Sequence, residues 1–175
     1  MNVKRMGNKG WTLLELMTVI ALIGILTGIA SLSMLDYMMT VRLQSAVEMI
    51  GTDIRKARLT VFTRGEPYHI DFEPKNGTYL VNDSDRIQLP MGISFGIAPG
   101  VTGKPSSPYE KPPMDGITFK GEGKDNRAKF MPKSLVVPTG AVYLTNGRET
   151  MAITVALNGH TTFWRSNGGN KWIEL

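Results

Sequence analysis

Gly10-Trp11-Thr12-Leu13-Leu14-Glu15, running into the uncharged stretch Leu16 to Leu35, decides how the rest of this chain is read. The ten residues up to Gly10 contain Lys4, Arg5 and Lys9 and no acid, the pattern of a flank held on the cytoplasmic side of a membrane. The twenty residues that follow Glu15 would span about 30 Å as a helix, the hydrocarbon thickness of a bilayer. A secretory signal peptide also begins with cations and an apolar run. Here the run exceeds the usual h-region of roughly 7–15 residues, and no small-x-small site follows before Asp36-Tyr37-Met38. The helix is therefore expected to stay in the mature chain. A plain anchor leaves Glu15 unexplained, because a carboxylate at the edge of an apolar helix is costly and normally has a partner. A cut after Gly10 would supply one: the new amine of Trp11 lies one helical turn from Glu15.

The segment Lys9-Gly10-Trp11-Thr12-Leu13-Leu14-Glu15-Leu16-Met17, followed by an apolar helix, resembles the class III signal of type IV pilins and type II secretion pseudopilins. The resemblance implies that a prepilin peptidase cuts between Gly10 and Trp11, that the Trp11 amine is N-methylated, and that Glu15 guides docking into a helical filament. It also implies an inner-membrane assembly platform and other pilins or pseudopilins as partners, with membrane lipid around the helix before assembly. The implied topology is a single pass with the N-terminus cytoplasmic and the head periplasmic. Trp11 stands where the family usually has Phe, and Leu32 where major pilins often carry a kinking proline.

The chain has 175 residues and a formal charge of +5, which falls to +2 without Lys4, Arg5 and Lys9. The basic balance is thus a weak argument for nucleic acid. There is no cysteine, so no disulfide or thiolate metal site exists, and the head must rest on its own core. His69 and His160 lie ninety-one positions apart and read as ordinary strand histidines, so no metal and no cofactor is implied.

Beyond Asp36 the apolar residues become periodic: Leu43, Ala46, Ile50, Ile54, Ala57 and Val61 recur at spacings of three and four. Arg42, Glu48, Asp53, Arg55, Lys56 and Arg58 fill the other faces, which predicts an amphipathic helix with one buried stripe. Thr63-Arg64-Gly65-Glu66-Pro67 supplies its stop. Nothing between Leu35 and Leu43 forces a break, so one rod from about Thr12 to about Arg64 is expected, near 80 Å long. Gly24 and Gly28 offer close packing between helices, although glycine is common in any membrane helix.

From Tyr68 onward, alternating runs separated by turn residues predict antiparallel strands at 68–72, 78–81, 86–95, 117–120, 127–131, 141–145, 150–157, 161–165 and 171–174. Asn76-Gly77, Asn146-Gly147 and Asn158-Gly159 mark turns. The proline-rich segment 99–116 is expected to be mobile surface. The fold class is α+β: a long N-terminal helix, membrane-spanning in its first half and amphipathic in its second, packed on an antiparallel sheet or a two-sheet β head. The expected segments are a cleaved leader 1–10, a transmembrane or filament-core helix 11–35, an amphipathic helix 36–64 and a head 65–175.

In the head, Asp53-Ile54-Arg55-Lys56-Ala57-Arg58, Leu89-Pro90-Met91-Gly92-Ile93, Gly116-Ile117-Thr118-Phe119 and Thr154-Val155-Ala156-Leu157-Asn158-Gly159 are similar to the minor, GspH/FimT-like branch. That likeness implies a position at or near a filament tip, in either a secretion pseudopilus or a type IV pilus. Some relatives of the branch take up DNA through a Gly-Arg-x-Arg segment. Here Gly159-His160-Thr161-Thr162 replaces both arginines. Arg148, Arg165, Lys171, Trp164 and Trp172 remain as a conceivable basic and aromatic patch for nucleic acid. The competing reading, in which the tryptophans are core residues and the charges solvated, is favoured. No catalytic constellation is present: Asp83-Ser84-Asp85 lacks the ligand count of a calcium site, Ser106-Ser107 has no His and acid in sequence context, and Gly121-Glu122-Gly123 stops short of a dinucleotide loop. The expectation is a structural subunit and not an enzyme.

Overall fold

The structure is a computed structural model that describes residues 11–121, 124–132, 139–156 and 159–175. One helix, α1, runs unbroken over Leu13–Arg64. The chain divides into two compact units, the first reaching Met38 and the second covering Met39–Leu175. In the first unit, Leu13, Leu14, Leu16, Met17, Ile20, Leu22, Ile23, Ile25, Leu26 and Ile29 are all exposed, and none of its described residues is buried. The helix is long and apolar enough there to cross a membrane. Its hydroxyls are satisfied within the helix: Thr18 donates to the Leu14 carbonyl and Thr27 to the Ile23 carbonyl, each at 2.7 Å. Such back-bonding is what a lipid-facing hydroxyl requires.

In the second unit the helix obeys the predicted stripe. Leu43, Ala46, Ile50, Ile54, Ala57 and Val61 are buried, joined by Val47. The helix stops as its sequence directs. Gly65 adopts φ 68 and its N–H bonds to the Val61 carbonyl at 3.0 Å, a left-handed cap that removes one orphan acceptor.

The stripe packs on two antiparallel sheets. The first contains β1 (Tyr68–Glu73), β2 (Thr78–Val81), β3 (Asp85–Gln88) and β7 (Arg127–Phe130) in the order β3-β2-β1-β7. The second contains β4 (Ser94–Phe95), β8 (Gly140–Thr145), β9 (Thr150–Val155), β10 (Thr161–Ser166) and β11 (Ile173–Glu174) in the order β11-β10-β9-β8-β4. A short ribbon, β5 (Lys120–Gly121) with β6 (Lys124–Asp125), forms a third, two-stranded sheet next to β7. Phe72 bridges the sheets, stacked on Phe119 and edge-on to Phe95, with ring centroids 5.9 and 6.0 Å away.

The inner strands of the second sheet, β8 and β9, are buried on both faces, and their side-chain alternation shows why. Val142, Leu144, Met151, Ile153 and Val155 join the helix core. Ala141, Tyr143 and Ala152 point the other way, into a smaller cluster with Ile97, Trp164 and Trp172. Segment 97–116 lies over that face and is tied to it by hydrogen bonds at 100–103. Thr102 N–H donates to the Gly169 carbonyl at 2.8 Å, Gly169 N–H to Gly100 at 2.7 Å, and the Trp172 indole to the Gly103 carbonyl at 2.8 Å. Gly103 is required by this approach, since a Cβ there would meet the Pro108 carbonyl and Asn170.

Two expectations need correcting. The strand predicted over 86–95 is two strands in different sheets: Pro90 has no N–H for a ladder and Gly92 adopts φ 84, so the chain leaves the first sheet after Gln88 and enters the second at Ser94. The strand predicted over 117–120 shrinks to a bridge, Ile117 to Val142, and the two residues of β5. The Asn76-Gly77 hairpin is observed, with Pro74–Asn76 as one 3-10 turn and Gly77 left-handed. The Asn146-Gly147 turn joins β8 to β9 with Thr145 opposite Thr150. Asn158 lies outside the described residues.

Candidate functional site

The start of α1 is organised by Thr12. Its Oγ1 accepts a hydrogen bond from the Glu15 N–H at 3.2 Å, and its carbonyl accepts from the Leu16 N–H at 3.1 Å. Thr12 is thus an N-cap, and Glu15 occupies the first helical turn, where the exposed N–H groups favour a negative charge. Thr-x-x-Glu is the sequence pattern of a capping box, a signal that the sequence reading passed over. The cap fixes Glu15 four residues after Trp11 on an ordered turn, with Trp11 itself exposed. Gly10 and the basic leader lie outside the described residues. Gly24 and Gly28 meet nothing within 4 Å, so no neighbour within the chain demands glycine at either position.

In the head, helix and sheets are pinned by charged and phenolic groups. The buried Tyr79 hydroxyl on β2 donates to Asp53 of the helix at 2.6 Å. Burial, then the Asp53 hydrogen bond, push the Tyr79 pKa far above its ordinary value, and burial with the Asp53 charge raises that of Tyr68. On the second sheet the nearly buried Glu149 collects three donors: Thr40 Oγ1 at 2.6 Å, Asn146 Nδ2 at 3.4 Å and Arg165 Nε at 2.7 Å. Arg58 donates to the Gly159 carbonyl at 2.9 Å, and Arg55 lies 5.4 Å from the centre of the Phe163 ring. These contacts join the amphipathic helix to both ends of β10.

The residues proposed for nucleic acid are largely occupied elsewhere. Trp164 bonds to Thr154 at 2.9 Å within the smaller cluster, and Trp172 stacks edge-on against Tyr143 with centroids 5.8 Å apart. Arg165 is neutralised by Glu149. Lys171 and Arg148 are exposed. The structure therefore places both rings in packing and pairs Arg165 with Glu149.

Three potential ligand atoms also converge where sequence separation concealed them. Donor atoms of His69, Asp71 and Asp83 lie within 4.8 Å of one another. Arg127 supplies the positive charge there: it donates through Nε and an Nη to the two Asp71 oxygens, and its guanidinium lies 3.7 Å from Asp83. The Asp71 hydrogen bond raises the Arg127 pKa above its usual range. His69 Nε2 completes the group 3.0 Å from Asp83. The arrangement is a side-chain ion network in which a guanidinium does what a metal would do, and His69 is a strand residue of β1 as expected.

Comparison with known proteins bears on the N-terminal site alone. No curated protein and no solved structure matches the chain. A family model described as the prokaryotic N-terminal methylation motif matches residues 5–31, a span that holds the end of the basic leader, the Gly10–Trp11 junction, Glu15 and most of the apolar run. The chain carries the N-terminal methylation motif on which its resemblance to type IV pilins and pseudopilins rests.

Proposed function

We propose that this chain is a minor pseudopilin or minor pilin of the GspH/FimT-like kind, stored in the bacterial inner membrane and then inserted into a type II secretion pseudopilus or a type IV pilus, near its tip. Prepilin peptidase cuts between Gly10 and Trp11, and the Trp11 amine is methylated. The amine and the Glu15 carboxylate then provide opposite charges for docking against a neighbouring subunit. The observation that carries this reading is the contrast along one unbroken helix: a methylation motif and capped Glu15 lead a segment whose described apolar side chains are exposed, while the next segment buries an apolar stripe against the head. Membrane lipid covers the first segment before assembly and neighbouring helices cover it afterwards.

Exposed apolar side chains on the head suit lateral contacts. Phe62 and Leu59 project from the solvent side of the helix, while Tyr109 and Met114 project from the cover beyond the second sheet. The reading as a DNA-uptake subunit has less support, because Trp164, Trp172 and Arg165 already have partners within the head. The test is incorporation. Glu15→Ala, expressed in a strain that assembles such filaments, should stay in the membrane and disappear from sheared filaments; normal incorporation would sink the docking role. The genes found beside this one separate the two machines: a secretin with other pseudopilins points to secretion, a retraction ATPase with a major pilin to a pilus.

A further inference from the structure

Four Asn-Gly pairs occur in the chain, at 76–77, 146–147, 158–159 and 167–168. Such a pair is chemically labile, because the glycine nitrogen, unhindered by a side chain, can attack the asparagine side-chain carbonyl carbon. Attack requires the side chain to turn onto the following nitrogen, so hydrogen bonds that fix either group oppose it. The pair at 158–159 begins outside the described residues, and the other three differ in how they are held.

Asn146 is held at both polar atoms of its side chain. Its Oδ1 accepts from the Arg148 and Glu149 N–H groups, each at 3.0 Å, and its Nδ2 donates to Glu149 at 3.4 Å. The Gly147 N–H that would attack it donates to Thr145 Oγ1 at 2.9 Å. Asn76 is held at Nδ2, which donates to Glu73 at 3.1 Å, and the Gly77 N–H donates to the Pro74 carbonyl at 3.3 Å. Asn167 differs. It is exposed, and its side chain makes no hydrogen bond among the described residues. The Gly168 N–H makes a long bond, 3.3 Å, to Ser166 Oγ, and a Cβ placed on Gly168 would meet nothing within 4 Å.

Asn167 also stands beside the latch of the segment that lies over the second sheet. Gly169 donates to the Gly100 carbonyl at 2.7 Å and accepts from the Thr102 N–H at 2.8 Å, which ties that segment to the end of β10. On the other side of Asn167, Ser166 is buried. The most labile pair therefore adjoins backbone bonds that hold the two parts of the head together.

We infer that Asn167 is a spontaneous modification site, converted to a mixture of aspartate and isoaspartate, and that the isoaspartate form loosens the latch at Gly169. The Gly168 nitrogen gives its proton to hydroxide and bonds to the Asn167 side-chain carbonyl carbon; the bond from that carbon to the amide nitrogen breaks and ammonia leaves. Water then opens the cyclic imide. Opening at the main-chain carbonyl leaves the backbone running through the β-carbon, one atom longer, with a new carboxylate beside the latch. One water enters and one ammonia leaves, and no oxidant or cofactor is needed. This chemistry belongs to the head and stands whether or not the chain enters a filament.

Trypsin places the four pairs on separate peptides, 76–86, 134–148, 149–165 and 166–171, so each rate is read from one digest. The full chain in detergent is aged at mildly alkaline pH beside a sample unfolded in guanidinium chloride. Fragment masses then follow the conversion of each asparagine and separate Asn167 from Asn170. In the folded chain Asn167 should convert within about threefold of its unfolded rate, while Asn146 slows about tenfold or more, the factor that one or two hydrogen bonds supply. Equal protection of the two, whether both slow or both convert freely, overturns the assignment. Amide hydrogen exchange reads the latch: Gly169 and Thr102 should exchange about tenfold faster in the aged chain, and Asn167→Ser aged alike should show no change. Conversion that leaves exchange at both amides as it was, or faster exchange in aged Asn167→Ser as well, overturns the loosening.

Discussion

Residues 13–29 and residues 43–61 belong to one helix, yet they bury their apolar side chains by different means. In the second stretch Leu43, Ala46, Val47, Ile50, Ile54, Ala57 and Val61 form a single stripe against two sheets of the same chain. In the first, apolar side chains cover the whole circumference and none finds a partner within the molecule. A helix that is apolar all round requires an apolar surrounding, and where the chain does not supply it, lipid or other copies must. The difference is between a segment that stabilises the head and one whose energetics belong to its environment.

The largest effect expected from this comparison comes from placing an acid in each half. Ile50→Asp puts a carboxylate among buried apolar groups and should cost about 4 kcal/mol or more, abolishing the cooperative melting of the head. Ile25→Asp should leave the melting of the detergent-solubilised head unchanged while reducing membrane insertion, by about 2.5–3.5 kcal/mol at a helix centre. If both variants melted alike, the division would be wrong.

A smaller loss is expected within the head from Asp71→Ala, which strips Arg127 of its two-pronged partner. Because Arg127 keeps some solvent contact and Asp83 nearby, about 1–3 kcal/mol is expected, below the loss for a fully buried pair. Denaturant unfolding measures it, with an unchanged slope showing that the core remains.

The mildest change is Tyr79→Phe, which removes the helix-to-sheet hydrogen bond at Asp53 and should cost about 1 kcal/mol at neutral pH. Its pH dependence is more telling. The folded-state pKa of Tyr79 is raised, so the stability linked to this group is intact below the unfolded value of about 10. Above it the unfolded chain loses the proton that the folded chain keeps, and stability falls as pH rises. Tyr79→Phe should flatten part of that alkaline decline; a decline identical in both proteins would mean that the phenol ionises freely in the fold.

Much of this architecture is legible in the sequence, because the two helical halves differ in pattern as well as in partners. The stripe follows from spacings of three and four, the helix end from Gly65, and the hairpin at 74–77 from Asn-Gly. What escaped reading depends on contacts between distant residues. Proline and glycine in 99–116 forecast irregular backbone, but the hydrogen bonds to Gly169 and from Trp172 that hold it on the second sheet leave no local pattern. Pro90 and Gly92 lay inside a predicted strand although each disfavours a ladder, and together they mark the passage between sheets. The meeting of His69, Asp71, Asp83 and Arg127 follows from cross-strand register, Asp71 opposite Arg127, which no single segment reveals. Thr12 is different: its capping pattern with Glu15 was present in the sequence and only needed weighing.

The central claim is that residues 11–35 begin a processed, retained helix and not a discarded signal or an unmodified anchor. Intact-mass measurement of the full chain isolated from membranes of cells that contain prepilin peptidase tests it most directly. The account predicts a polypeptide that starts at Trp11 and carries the added mass of one methyl group, with the unprocessed mass restored when Gly10 is replaced by a bulky residue. A chain that keeps its basic leader, or one that begins beyond Leu35, would contradict it.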